Sequence, residues 1–181
     1  YNLGFLYYKG QGVEQDFKES VKWYQKAAEQ GLATAQSNLG VRYEKGQGVE
    51  QDFKEALKWY QKAADQGHTF AQFNLGLMYA NDQGGAQDFK EAVKWYQKAA
   101  DQGVASAQYN LGAMYANGQG VAQNYITAYA WASIAAANGE VLAVKIRSEV
   151  LEKKMTAEDI SKAQELPKEM LKKNPKLIKK P

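Results

Sequence analysis

The chain repeats itself every 36 residues. Gly4, Gly40, Gly76 and Gly112 stand in strict register, as do Asn2, Asn38, Asn74 and Asn110, Tyr7, Tyr43, Tyr79 and Tyr115, and Trp23, Trp59, Trp95 and Trp131. Residues 10–31 and 46–67 differ only at Ser20/Ala56, Val21/Leu57 and Glu29/Asp65. A period of this size, held without drift, marks an array of small units that cannot bury their apolar faces singly and must stack. The register divides the chain into a partial unit at 1–31, three full ones at 32–67, 68–103 and 104–139, and a non-repeating remainder.

Within a unit, Ala35, Leu39, Gly40 and Tyr43 recur at helical spacing and predict a helix A that stops at Gly46, where a left-handed cap needs no Cβ. Asp52 followed by Glu55 reads as a capping-box start to helix B, which turns Phe53, Ala56, Trp59, Tyr60, Ala63 and Ala64 inward and ends at Gly67. The small residues Gly40 and Ala63 are expected where helices of adjacent units approach closely. The loop of the third unit, with Asp82, Gly84 and Gly85 where its siblings carry Gly, Gly and Val, is expected to be reshaped.

Chemistry-bearing residues are scarce. There is no Cys and a single His, His68, so thiolate zinc sites, cysteine nucleophiles and Ser/His pairs lack their parts. His68 is expected at the surface at a helix start. The carboxylates Asp16, Asp52 and Asp88 with Glu19, Glu55 and Glu91 are accounted for as helix caps. Turns such as Gly46-Gln47-Gly48 lack the Lys and Ser/Thr of a phosphate loop. Neither catalytic residues, nor a metal site, nor a cofactor is expected.

Lysines recur at i, i+4, i+8 on helix B: Lys18, Lys22, Lys26; Lys54, Lys58, Lys62; Lys90, Lys94, Lys98. Units one and two are nevertheless neutral, with four Lys against four acids and five basic against five acidic residues, so a solvated face is expected rather than a nucleic-acid track. No apolar run approaches the roughly 20 residues of a membrane span. Residues 104–139 carry no Asp, Glu, Lys or Arg, and the stripe positions there become Ile126, Ala130 and Ile134. A cap over 140–166 is expected to cover them with Leu142, Ile146, Val150, Ile160, Ala163 and Leu166; the rival is a subunit interface. Residues 167–181, with six Lys and one Glu, are read as a mobile solvated tail.

The block from Ala35 to Gly67, Ala-x-x-Asn-Leu-Gly-x-x-Tyr-x-x-Gly-x-Gly-Val-x-x-Asp-x-x-x-Ala-x-x-Trp-Tyr-x-x-Ala-Ala-x-x-Gly, resembles the Sel1-like repeat, a cousin of the tetratricopeptide repeat. The resemblance covers residues 1–139, and 155–164 resembles the closing helix of bacterial members. It implies an all-α fold, a right-handed α-solenoid of antiparallel helix pairs with a C-terminal helical cap. The fourth unit departs from the pattern at Asn124, which replaces the capping Asp, and at Ala132, which replaces the Tyr after Trp. Tyr1 falls inside a helix A, so the natural protein is expected to continue upstream. Localisation stays open, with an exported bacterial protein favoured over a cytoplasmic one.

The resemblance further implies a non-catalytic scaffold or adaptor that binds a peptide or protein partner along helix A. The helix A positions that differ between units single out Ser37, Val41, Glu44, Phe73, Leu77, Tyr109 and Ala113, joined by Asn38, Asn74 and Asn110. These asparagines either bind a peptide backbone or tie helix A to its neighbour. Two other readings stand beside this one: an oligomeriser acting through the uncharged fourth unit, and an enzyme of cell-wall or penicillin chemistry. For the enzyme the supports are missing, because no Ser has Lys three residues on.

Overall fold

The computed structural model describes residues 1–178, which contain helices and no strand. Val150, one of the expected cap residues, lies outside the described side chains, and Lys179, Lys180 and Pro181 lie outside the described residues. The chain divides into two compact units, Tyr1–Gln87 and Asp88–Pro181.

The first unit holds α1 (Asn2–Lys9), α2 (Phe17–Glu29), α3 (Ala33–Lys45), α4 (Phe53–Asp65) and α5 (Thr69–Ala80). Helix B of each repeat starts as its sequence dictates: the Asp16 and Asp52 carboxylates accept from the second and third main-chain N–H groups of α2 and α4. The expected box is only half built, because Glu19 and Glu55 turn to Lys22 and Lys58 instead of reaching back. Gly10 and Gly46 close α1 and α3 in the left-handed conformation.

The seam of the α3–α4 pair explains Gly40. A Cβ there would lie 2.8 Å from the ring of Tyr60, which is wholly buried. The close approach is therefore between the two helices of one repeat, and the expectation that Gly40 serves the contact between adjacent repeats is corrected. Gly4 meets the Tyr24 ring at 3.0 Å in the same way.

The third loop also departs from expectation, since it keeps its siblings' shape. Asp82 takes the left-handed conformation at φ 58°, where Gly10 and Gly46 have φ 67° and 64°. Asp is among the few residues that tolerate this region, because its short side chain bonds locally. Gly84 then falls where Gly48 does. A Cβ at Gly48 would lie 2.2 Å from the Phe17 carbonyl oxygen, and one at Gly84 2.4 Å from that of Phe53, so each loop sits on the start of the preceding helix B.

The second unit holds α6 (Phe89–Ala100), α7 (Ala105–Asn117), α8 (Tyr125–Ala137), α9 (Val141–Ile146), a π-helical turn at Arg147–Leu151 and α10 (Ala157–Lys173). Asn124 caps α8 in place of Asp, accepting from the Thr127 N–H. With Ala132 replacing the ring, Gly112 faces α8 backbone: its Cβ would lie 3.1 Å from the Ala128 carbonyl oxygen.

The uncharged face of α8 is covered. Ala128, Tyr129, Ala132 and Ala135 pack with Ala143, Leu151 and Ala163, and Ile126, Ile146 and Met155 close the edges. Ile134 is buried. Leu142 is corrected from the expected set, being 57% exposed. The short α9 turns Ala143 inward, and the wide turn after it delivers Leu151, so the apolar face follows those two residues and leaves Leu142 outside.

The boundary expected at Pro167 is also overturned. α10 begins at a full capping box between Thr156 and Asp159 and runs through Pro167 to Lys173. A mid-helix Pro forfeits one hydrogen bond and costs about 3 kcal/mol; the wholly buried Ala163 one turn earlier anchors the helix across it. The segment after α10, expected to be mobile, is seated: Pro175–Leu177 form a 3-10 turn, and Leu177 is 2% exposed.

Candidate functional site

The residues singled out on helix A fall into three kinds of environment. Ser37 is 2% exposed and Asn74 is buried as well, which corrects both as contact residues: they belong to the packing beneath the helix A surface. Val41, Leu77 and Ala113 are half-buried and keep an open face, as do Phe73 and Tyr109. Tyr109 spends part of its ring against the Ala128–Tyr129 cluster.

The polar positions are tied down. The Tyr60 hydroxyl donates to Glu44 Oε2 at 2.6 Å and is hydrogen-bonded by the Asn74 side chain. Burial and the adjacent carboxylate hold this phenol far above its ordinary range, so it remains a donor. In the second unit Asn110 bonds the Tyr96 hydroxyl, whose pKa burial pushes up to about 12. Asn38 donates to the Tyr1 hydroxyl at 3.4 Å. Of the two roles for these asparagines, the structure displays the tie: helix A is bonded to an aromatic of the preceding repeat.

Two features escaped sequence reasoning. Arg42, at the register of Leu6, Met78 and Met114, is buried with its guanidinium 4.1 Å from the Tyr8 ring centroid. Its hydrogen bond and charge hold the Tyr8 phenol below the ordinary range. The second is a ladder of buried glutamines. Gln36, Gln72 and Gln108 each donate through Nε2 to a carbonyl of the preceding helix B, those of Ala28, Ala64 and Ala100. The 36-residue spacing of these glutamines was available as a signal; their neutral, flexible side chains gave no reason to read it as a site.

Two of the three stripe lysines in each helix B are engaged within their own helix. Lys22, Lys58 and Lys94 pair with the Glu three residues before, and Lys26, Lys62 and Lys98 lie over Trp23, Trp59 and Trp95 at 4.6, 4.2 and 3.8 Å from the ring centroids. His68 caps α5, its Nδ1 accepting from the Ala71 N–H at 3.3 Å, and burial lowers its pKa. Among the described residues no three His, Cys, Asp or Glu gather as metal ligands. Among them, too, no helix is long and apolar enough to cross a membrane.

The Sel1 repeat model matches residues 1–32, 33–68, 69–104 and 105–140, one residue later than the boundaries expected from the glycine register. The chain belongs to the Sel1 repeat family. Repeats of this family generally mediate protein–protein interaction and are typically non-enzymatic. Among solved structures, this Sel1 repeat chain is similar to a protective antigen of uropathogenic Escherichia coli strains that displays an SLR fold. That likeness has TM-score 0.85 and 38% identity, and covers 98% of this chain and 38% of the other. It is also similar to a Sel1 repeat protein from Oxalobacter formigenes, with TM-score 0.78 and 40% identity, covering 81% of this chain and 60% of the other. The chain thus spans less than two thirds of either. Both sources are bacterial. No curated protein matches the sequence.

Proposed function

We propose that the chain is a bacterial, non-catalytic interaction scaffold that holds a peptide or protein against the helix A surfaces of its repeats. One observation carries this reading: the skeleton repeats while the half-buried helix A positions vary, Val41 and Leu77 with Phe73 in the first unit and Ala113 with Tyr109 in the second. The ties that fix Asn74, Asn110 and Glu44 make that surface rigid, which lowers the ordering cost of binding. Glu44 and Asn110 supply polar contacts at its edge, and Asn38 a half-exposed amide. The packing of Ala143, Leu151 and Ala163 on α8 favours this reading over an oligomeriser acting through the uncharged face of the fourth repeat.

The test is site-specific photocrosslinking in a bacterial lysate, with the probe at Leu77 in one chain and at Lys58, on the outer face of helix B, in another. Capture at Leu77 that Phe73→Ala abolishes, with none at Lys58, is expected. Equal capture from both positions would remove helix A as the binding surface.

A further inference from the structure

The C-terminal segment of the second unit is held as a bound peptide would be. The Leu177 carbonyl accepts from Gln108 Nε2 at 2.7 Å and Asn138 Nδ2 at 2.6 Å, using both lone pairs. Asn138 also donates to Gln108 Oε1 at 2.8 Å, which locks the two amides into one clamp. Asn174 Nδ2 donates to the main-chain carbonyl of Asp101 at 3.0 Å, and its Oδ1 accepts from the Lys176 N–H, folding Pro175–Leu177 into the turn that buries Leu177. Gly103 is buried beside this seat, and burial raises the Asp101 pKa. Four residues, Asn-Pro-Lys-Leu, thus supply a side-chain amide, a fixed turn, a carbonyl and an apolar side chain.

Seventy-two residues earlier the first unit carries the same pair of linked amides, and no described residue is seated on them as Leu177 is on Gln108 and Asn138. Gln36 donates to the Ala28 carbonyl at 3.1 Å and accepts from Gln66 Nε2 at 2.7 Å, as Gln108 donates to Ala100 and accepts from Asn138. Gln36 is 5% exposed, and its second amide proton, which in Gln108 goes to Leu177, meets no acceptor among the described residues. A buried amide with half its donors unused is costly and marks a place for a carbonyl. Gly31 is exposed where Gly103 is covered, and Leu32, at the register of Val104, is 44% exposed. Gln66 spends its remaining proton on the Lys62 carbonyl at 3.3 Å, a long bond that an incoming carbonyl can replace.

We propose that the seat formed by Glu29, Gly31, Leu32, Gln36 and Gln66 binds a segment of another protein with the chemistry of residues 174–177: an Asn, a Pro turn and a Leu whose main-chain carbonyl enters the amide clamp. The chain's own segment is not the occupant, since each copy already holds it in its second unit, where tethering keeps its effective concentration high. The seat lies at the start of α3 and uses none of Val41, Phe73 and Leu77, so its occupancy is independent of whether those residues hold a partner.

The test titrates the full chain with the synthetic peptide Lys-Lys-Asn-Pro-Lys-Leu-Ile, following stoichiometry by calorimetry and location by amide NMR. One equivalent is expected to bind, shifting Gly31, Leu32 and the side-chain amides of Gln36 and Gln66. Leu32→Glu and Gln66→Ala, both at exposed positions, should each weaken binding about tenfold, as should replacing the peptide's Leu by Ala. The Leu177→Asp chain, or one ending at Lys173 if that variant fails to fold, should take two equivalents. The proposal falls if the unaltered chain takes none while the released chain takes one at Gly103 and Asn138. It falls equally if the shifts appear at Val41 and Leu77 instead, or if the unaltered chain self-associates through the seat and Leu177→Asp abolishes that association, which would make the occupant a second copy.

Discussion

The two units are built from one 36-residue sentence yet close their seams by different means. In the first, Gly40 and Gly4 receive the rings of Tyr60 and Tyr24; in the second, Gly112 meets the Ala128 carbonyl of α8, as Gly4 meets that of Ser20, but with Ala132 in place of the ring. The ring is a polar hub as well as a filler, since its hydroxyl joins Glu44 and Asn74. Where the ring is lost, so is the means of bonding another helix A, and α9 and α10 take the place of a further repeat. A repeat array therefore ends where its inter-repeat bond is deleted and its solvated lysines become Ile126, Ala130 and Ile134.

The sharpest way to break this contrast is to exchange the seams. Tyr60→Ala should cost about 4 kcal/mol in chemical denaturation, through the cavity opposite Gly40 and the stranded Asn74 and Glu44. Ala132→Tyr should cost about 2 kcal/mol by overpacking. Equal losses would mean that the two seams do not differ in kind. Next come the loops, which should not distinguish the units: Gly48→Ala and Gly120→Ala each put a Cβ 2.2 Å from a carbonyl oxygen at positive φ and should each cost about 3 kcal/mol. Gly12→Ala, with open space around it, should cost about 1 kcal/mol.

Leu177→Ala should then cost about 2 kcal/mol, confined to the second unit. Hydrogen exchange would register it as faster opening of α7 with α3 unchanged, and uniform acceleration would contradict it. The smallest effect is a pair of opposite pH slopes. Burial lowers the His68 pKa, so the unfolded chain binds that proton first and stability rises with pH between the folded and unfolded values. Burial raises the Asp101 pKa, so the folded chain holds that proton longer and stability falls as pH climbs from the unfolded toward the folded value. Each should amount to less than about 1 kcal/mol, and His68→Leu and Asp101→Asn should flatten them separately.

Much of this was legible in the letters. The register of Gly, Asn, Tyr and Trp predicts the helix pairs, and Asp16, Asp52 and Asp88 mark the helix starts, because capping and glycine conformation are local physics. What escaped depends on partners distant in sequence. That Gly40 faces Tyr60 across its own pair, that Leu142 turns outward while Leu151 turns in, and that Leu177 is buried against residues some 70 positions earlier are all decided by packing. For the helix A positions, sequence variation singled them out but could not tell the buried Ser37 from the half-buried Leu77, since both vary between repeats and only tertiary packing separates them. Pro167 misled for a related reason: a local breaker was overruled by the anchorage of a long helix.

The seating of each loop on the helix before it has a consequence for how the chain can be lengthened or cut. Because Gly48 rests on Phe17 and Gly84 on Phe53, the joint is defined by residues a whole period less five apart, and any excision that spares the joint must remove a multiple of 36 residues. Deleting 17–52 joins Asp16 to Phe53 and brings the next loop down on an identical platform, capped by an identical carboxylate. Removing 35 or 37 residues instead would bring the wrong residues to the splice. The molecule is therefore quantised in length, and natural variation in array size is expected to come in whole steps.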